Sequence, residues 1–230
     1  MSTAVRLPLV SANIGRGVKP SVTRENIQRI HHGFPGAVIG WQEIDEADEA
    51  DEHAILARVF ADHDNIGFAK AVPISIPKPW AVVEGSAVVT HACDWLAHAT
   101  PDRWIVEAVA EHPDLAEPVR FANGHYPLAR LGGKEGRARW TDCQAAWEAR
   151  ATAWHRSGIT TITTRDTNRL RNMPRLHPSE RQLLPNAITR ITAIPGSVGV
   201  KVIDRRDVNL TIDGHSARGV DLLLTVKENQ

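Results

Sequence analysis

Short runs rich in β-branched residues alternate along the chain with longer stretches rich in alanine and charge, and this alternation constrains the fold more than any other feature. A strand places alternate side chains on two faces and a helix needs an apolar stripe, so the pattern reads as sheet covered by helices. Strands are expected at Val5–Asn13, Ala37–Gln42, Ala81–Thr90, Trp104–Ala110, Val119–Gly124, Ile159–Thr164, Ala187–Ile194, Val200–Arg205 and Gly219–Val226. Helices are expected at Ser21–His32, Glu46–Ala61 and Gly136–Ser157. Ser21 can cap the first helix and Asp45 the second, with Asp48 near the acidic position of a capping box, while Gly158 suits a left-handed end to the third. Trp140, Trp147 and Trp154 recur every seven residues on one helical stripe, which favours packing against a sheet over a stacking platform for bases.

At 230 residues, without an internal repeat or a low-complexity linker, the chain is expected to form one domain over residues 1–230. Its 42% hydrophobic and 23% charged residues exclude a disordered or collagenous chain. No apolar run approaches the ~20 residues of a membrane span. Residues 1–17 lack the long apolar block of a secretion signal, and Cys93 and Cys143 are too few for a disulfide framework, so a reducing, cytoplasmic setting is expected.

Equal numbers of basic and acidic side chains, 27 each, hide a strong asymmetry. Residues 1–119 hold 9 basic and 17 acidic side chains, residues 120–206 hold 16 and 6, and residues 207–230 hold 2 and 4. A basic block of this kind suits an anionic partner, unless folding disperses it as solvated surface. The acidic run Glu43–Glu52 lacks the glycine and ligand spacing of a calcium loop. From Asp45 to Glu52 it reads as a solvated helix start favoured by the helix dipole, whereas Glu43 ends a strand.

Residues able to bind metal or phosphate fall at the ends of successive expected strands: Asn13, Glu43, Asn123 with His125, Asp166 with Asn168, and Asp213 with His215. Strand ends form a rim where residues distant in sequence can share a cleft, although any one of them alone would be an ordinary turn residue. The segments Ser-Ala-Asn13-Ile, Gly-Trp-Gln42-Glu43-Ile-Asp, Gly85-Ser-Ala-Val-Val-Thr90, Phe-Ala-Asn123-Gly-His125, Thr-Arg-Asp166-Thr-Asn168-Arg, and Ile188-Thr-Arg-Ile191 followed by Asp213-Gly-His215 occur in that order. Over about residues 7–226 their sequence resembles the endonuclease/exonuclease/phosphatase superfamily, the deoxyribonuclease-I-like fold. The resemblance implies a four-layer α/β sandwich of two packed, mainly antiparallel sheets flanked by helices.

It also implies a metal-dependent phosphodiesterase, with Glu43 and Asn13 holding Mg2+, Mn2+ being an alternative, Asp166 activating water, and Asn168 donating to the phosphate. His215 and His125 would share phosphate binding and protonation of the leaving group. Asn123, Arg169, Arg171 and Arg175 are the candidate substrate contacts, and the arginines near Asp166 favour nucleic acid over a small phosphoester or a lipid. Monomeric action without stable membrane association is expected, Pro77-Lys-Pro-Trp80 being the one segment that suggests insertion. A catalytically impaired binding module of the same fold is the alternative of another class.

Three departures separate the chain from the superfamily pattern: Arg165 in place of Gly, Thr189 in place of Asp, and Gly214 between Asp213 and His215. Threonine supplies no charge to a histidine partner, so Asp213, Asp204 or Asp207 would have to substitute. The pH–rate profile of Thr189→Asp decides between these cases. A faster enzyme with a higher pH optimum means no substitute exists, and a neutral or harmful effect means one of the three aspartates already serves. Unchanged rates across the pH range in Thr189→Asp, the Asp→Asn variants and His215→Ala alike would remove His215 from catalysis.

Overall fold

The computed structural model describes residues 4–15, 18–44, 49–67, 70–91, 103–128, 133–168, 173–184, 188–211 and 216–226. In chain order the elements are β1 (Ala4–Asn13), α1 (Pro20–Gly33), β2 (Val38–Gln42), α2 (Glu49–Val59), β3 (His63–Ile66), β4 (Ile74–Pro77), β5 (Ala81–His91) and β6 (Arg103–His112). They continue with β7 (Leu115–His125), α3 (Lys134–Ser157), β8 (Thr160–Asp166), β9 (Arg181–Leu184), β10 (Thr189–Ile194), β11 (Val198–Asn209) and β12 (Ser216–Val226). Two six-stranded sheets result, ordered β11-β12-β1-β2-β4-β3 and β5-β6-β7-β8-β10-β9. Each contains one parallel pair, β1 with β2 and β7 with β8, and is otherwise antiparallel. A parallel pair needs a long crossover, which α1 supplies to the first sheet and α3 to the second.

Alternation along each strand sorts the side chains into layers. Leu7 and Leu9 of β1 meet Phe121, Ile162 and Ile191 of the other sheet in the inter-sheet core. Val10 and Ala12 of β1 face the opposite way, onto Ile27 and Ile30 of α1 and Leu56 of α2. Behind the second sheet, Trp140, Trp147 and Trp154 of α3 pack with Ile105, Ala122 and Ile194. The tryptophan stripe is therefore core. Its two outer indoles donate to Thr167 O at 3.0 Å and Glu107 Oε2 at 2.6 Å. The expected four layers are present.

Sequence expectations need correction at several points. Helix α1 begins at Pro20 with Lys19 at the capping position and no side-chain cap, so Ser21 lies inside the first turn, where proline's fixed φ already starts the helix. Asp45 and Asp48 lie outside the described residues. Glu52 is buried rather than solvated, because its carboxylate accepts from Thr23 Oγ1 at 3.0 Å and ties α2 to α1. Trp80 is buried in the inter-sheet core, which gives it no reach into a membrane. Gly158 does end α3 in the left-handed region, at φ 72°.

The sheets are also joined by hydrogen bonds through their centre. Asn123 of β7 is fully buried; its amide lies within hydrogen-bond distance of Trp41 O (2.6 Å), Val72 O (3.0 Å) and Pro73 O (3.1 Å), and its oxygen accepts from Gln42 Nε2 (2.7 Å) and Thr164 Oγ1 (2.9 Å). Close approach is possible because Gly40 of β2 faces them: a Cβ there would overlap Thr164 Oγ1 and come within 2.7 Å of Asn123 Oδ1. Removing the amide strands several buried partners, each costing about 1–3 kcal/mol. Asn123→Ala should lower the urea midpoint by the equivalent of about 3 kcal/mol at unchanged m. A midpoint within about 0.5 kcal/mol of wild type would contradict this role.

Candidate active site

The two parallel pairs place four strand ends on one rim. Asn13 ends β1 beside Gln42, the last residue of β2, and His125 ends β7 beside Asp166, the last residue of β8. Just beyond β2 and β8 stand Glu43 at φ 63° and Asn168 at φ 50°, the two non-glycine residues of the described chain with positive φ. Such backbone is uncommon for non-glycine residues and concentrates at functional sites. Both belong to the set the sequence singles out.

Asp166 is the hub. Its Oδ2 accepts from Asn13 Nδ2 at 2.9 Å, a bond from one sheet to the other, and its Oδ1 accepts from the Asn168 backbone N–H at 2.9 Å. Its carbonyl accepts from the Tyr126 N–H at 2.8 Å, so the strand end itself is pinned. The Asn13 oxygen in turn accepts from the Gly15 N–H at 3.0 Å. The Asn168 amide donates to Tyr126 O at 2.6 Å and lies 2.7 Å from His125 Nε2. Glu43 Oε1 lies 3.6 Å from the same ring nitrogen.

The other ring nitrogen faces a residue that sequence reasoning passes over. Arg103 is buried at the start of β6, and its NH1 lies 3.3 Å from His125 Nδ1. A neutral imidazole accepts at one nitrogen only, so in either tautomer it can accept from Asn168 or from Arg103 but not from both. The signal for Arg103 was a basic residue directly preceding a strongly apolar strand, which the expected start at Trp104 cut off.

Other sequence candidates fall elsewhere. Asn123, expected to touch substrate, is sealed between the sheets with its polar atoms occupied, so that expectation is corrected. Asn168, expected to donate to phosphate, already has its amide engaged with Tyr126 and His125, and here it positions the ring. Arg175 is exposed, with NH1 within 3.4 Å of Pro178 O, in a loop beyond β8. Arg169, Arg171, Asp213, Gly214 and His215 lie outside the described residues. Thr189 is the cross-strand partner of Asp166, Asp204 Oδ1 accepts from the Arg205 N–H, and Asp207 lies 3.8 Å from Arg218. Arg165, which departs from the superfamily's glycine, is buried, with NH2 2.5 Å from Glu180 Oε1 and its guanidinium 5.5 Å from the centre of the Trp147 ring.

The rim offers hard oxygen donors: the carboxylates of Glu43 and Asp166 and the carboxamide of Asn13. Among the described residues no group of three or more His, Cys, Asp or Glu is placed to hold a metal by itself. The Glu43 carboxylate is partly exposed and lies beside His125.

No family model matches the sequence, and no curated protein matches it. Solved structures do. An endonuclease/exonuclease/phosphatase family protein from Bacteroides thetaiotaomicron superposes with a TM-score of 0.70 at 14% identity, covering 97% of this chain and 96% of its own. TDP2 from D. rerio, complexed with a single-strand DNA product, gives 0.71 at 11% identity, covering 94% and 98%. A mannosyl-6-phosphatase from Bacteroides thetaiotaomicron gives 0.61 at 14% identity, covering 96% and 100%. At such low identity the likeness rests on architecture, and by that architecture the chain has the endonuclease/exonuclease/phosphatase fold.

Proposed function

We propose that the protein is a metal-assisted phosphoesterase that hydrolyses phosphodiester bonds, with nucleic acid as its substrate. The observation that carries this reading is the convergence of Asn13, Glu43, Arg103, His125, Asp166 and Asn168 on one rim through contacts of 2.6–3.6 Å. Glu43, with Asn13, would hold Mg2+, and Mn2+ would fit the same donors. When bound, such an ion stabilises negative charge developing on a phosphoryl oxygen. Asp166, oriented by Asn13 and Asn168, accepts the proton of the attacking water. Asn168 fixes the His125 ring, and His125 with Arg103 supplies hydrogen bonds to the phosphate or the leaving oxygen. His215 remains a proposed partner in phosphate binding or proton transfer.

Nucleic acid is favoured by the basic surplus of residues 120–206 and by the likeness to a protein seen with a DNA product. A small phosphate ester is the second reading, favoured by the likeness to a sugar phosphatase. Cytoplasmic action as a monomer completes the proposal.

Glu43→Gln keeps the shape of the side chain but removes its charge. Calorimetry should show Mg2+ affinity reduced at least about tenfold and hydrolysis of a single-stranded oligonucleotide reduced in step. Unchanged metal binding would remove Glu43 from the site. Asp166→Asn should lower the rate by roughly 10²–10⁴ while metal affinity falls less than in Glu43→Gln. Oligonucleotide binding should weaken steeply with salt, and Arg171→Ala and Arg175→Ala should each reduce the slope by about one. Salt-independent binding, with turnover confined to small esters, would transfer the proposal to the second reading.

A further inference from the structure

Arg165, the departure from the superfamily's glycine, leads to a second basic site on the other face of the sheet. Ile162 and Thr164 of β8 and Ile191 of β10 face the inter-sheet core, so by alternation Arg165 and its cross-strand partner Arg190 face outward, toward α3. Arg165 is 1% exposed, and its Nε and NH1 have no hydrogen-bond partner among the described residues. Its NH2 bonds Glu180 Oε1 at 2.5 Å and lies 3.3 Å from Thr192 Oγ1. Glu180 also accepts from the Leu176 N–H at 2.6 Å and from the Thr192 hydroxyl at 2.6 Å.

Beside this pair opens a cavity of about 470 Å³ whose walls include Arg175, Arg181 and Arg190 with Glu180 as the single acid. One lining carboxylate, Glu180, itself paired with Arg165, stands against three wall arginines. Arg190 is half-buried with Nε lacking a partner, and burial, together with the nearby Arg165, holds its guanidinium below the usual arginine range. A half-buried guanidinium such as that of Arg190 gains from an oxyanion beside it. Guanidinium forks match phosphate oxygens in pairs, and the volume lies within the range of small-molecule sites rather than that of a lone ion.

We propose that this cavity, between β9, β10 and residues 173–180, is a binding site for a phosphate group, held by Arg175 and Arg190 over the Arg165–Glu180 pair. The group belongs either to a separate phosphorylated small molecule or to the backbone of a bound nucleic acid. The site does not rest on the catalytic reading, because it lies on the outer face of the sheet and needs no metal.

The test uses the full chain in EDTA, inorganic phosphate as probe, and calorimetry at low salt. Wild type should bind phosphate without a divalent cation, which separates this site from a metal-held phosphate at the rim. Arg190→Gln should weaken binding at least about tenfold, and the exposed Arg175→Gln, which carries little risk to folding, at least about threefold. A labelled single-stranded oligonucleotide then separates the two sources. Displacement by phosphate that is lost in Arg190→Gln assigns the site to backbone contact, and binding of both without competition assigns it to a separate phosphorylated molecule. Wild type that does not bind millimolar phosphate, or Arg175→Gln and Arg190→Gln that bind it as wild type does, would overturn the site. Hydrolysis is not read, so an inactive protein with Arg190-dependent phosphate binding would leave this site standing while the catalytic reading fell.

Discussion

The candidate site depends on two parallel strand pairs, β1 with β2 and β7 with β8, facing each other at the centres of two otherwise antiparallel sheets. Antiparallel neighbours would send successive strand ends to opposite edges. Parallel pairing sends Asn13 and Gln42 to one edge of the first sheet and His125 and Asp166 to one edge of the second. The Asn123 amide, inserted where Gly40 leaves space, then locks the two edges in register across the core. One further bond, Asn13 Nδ2 to Asp166 Oδ2, closes the rim itself.

Positioning at this rim is done by packing and strain together. The carboxylate of Asp166 cannot rotate without losing Asn13 or the Asn168 N–H, and His125 is bracketed by Asn168 and Arg103. Left-handed backbone at Glu43 and Asn168 costs on the order of 1–3 kcal/mol at each position, and the inter-sheet network offsets it. A rim so constrained presents donors and acceptors without having to reorganise, which is the condition for electrostatic stabilisation of a developing charge. The opposite face of the same strand carries the buried Arg165 instead of glycine, so β8 divides its chemistry between two faces one residue apart.

Much of this was legible in the sequence because long strands and helices announce themselves by periodicity. All nine expected strands and all three expected helices have counterparts, and Glu43, His125, Asp166 and Asn168 could be found as polar residues at the ends of expected strands. The strands β3, β4 and β9 were not legible: each has four residues, and His63-Asp-Asn-Ile66 and Arg181-Gln-Leu-Leu184 are too short and too polar to show a period. Proline closes Ile74-Ser-Ile-Pro77, which reads as a turn until β3 pairs with it. Asn123 was found for the wrong reason, since a buried asparagine that serves backbone carbonyls looks the same in sequence as one that serves a ligand. Glu52 is misread similarly, because its partner Thr23 comes close only in the folded chain.

The central claim is that this rim of strand ends is a metal-assisted phosphoester site. Anomalous diffraction from crystals soaked in Mn2+ tests it most directly. One strong peak is expected, bonded to a Glu43 carboxylate oxygen at roughly 2.1 Å, close to Asn13 and with Asp166 and His125 beside it, completed mainly by water. Mn2+ absent from Glu43, or bound only at a site remote from Asn13 and Asp166, would contradict it.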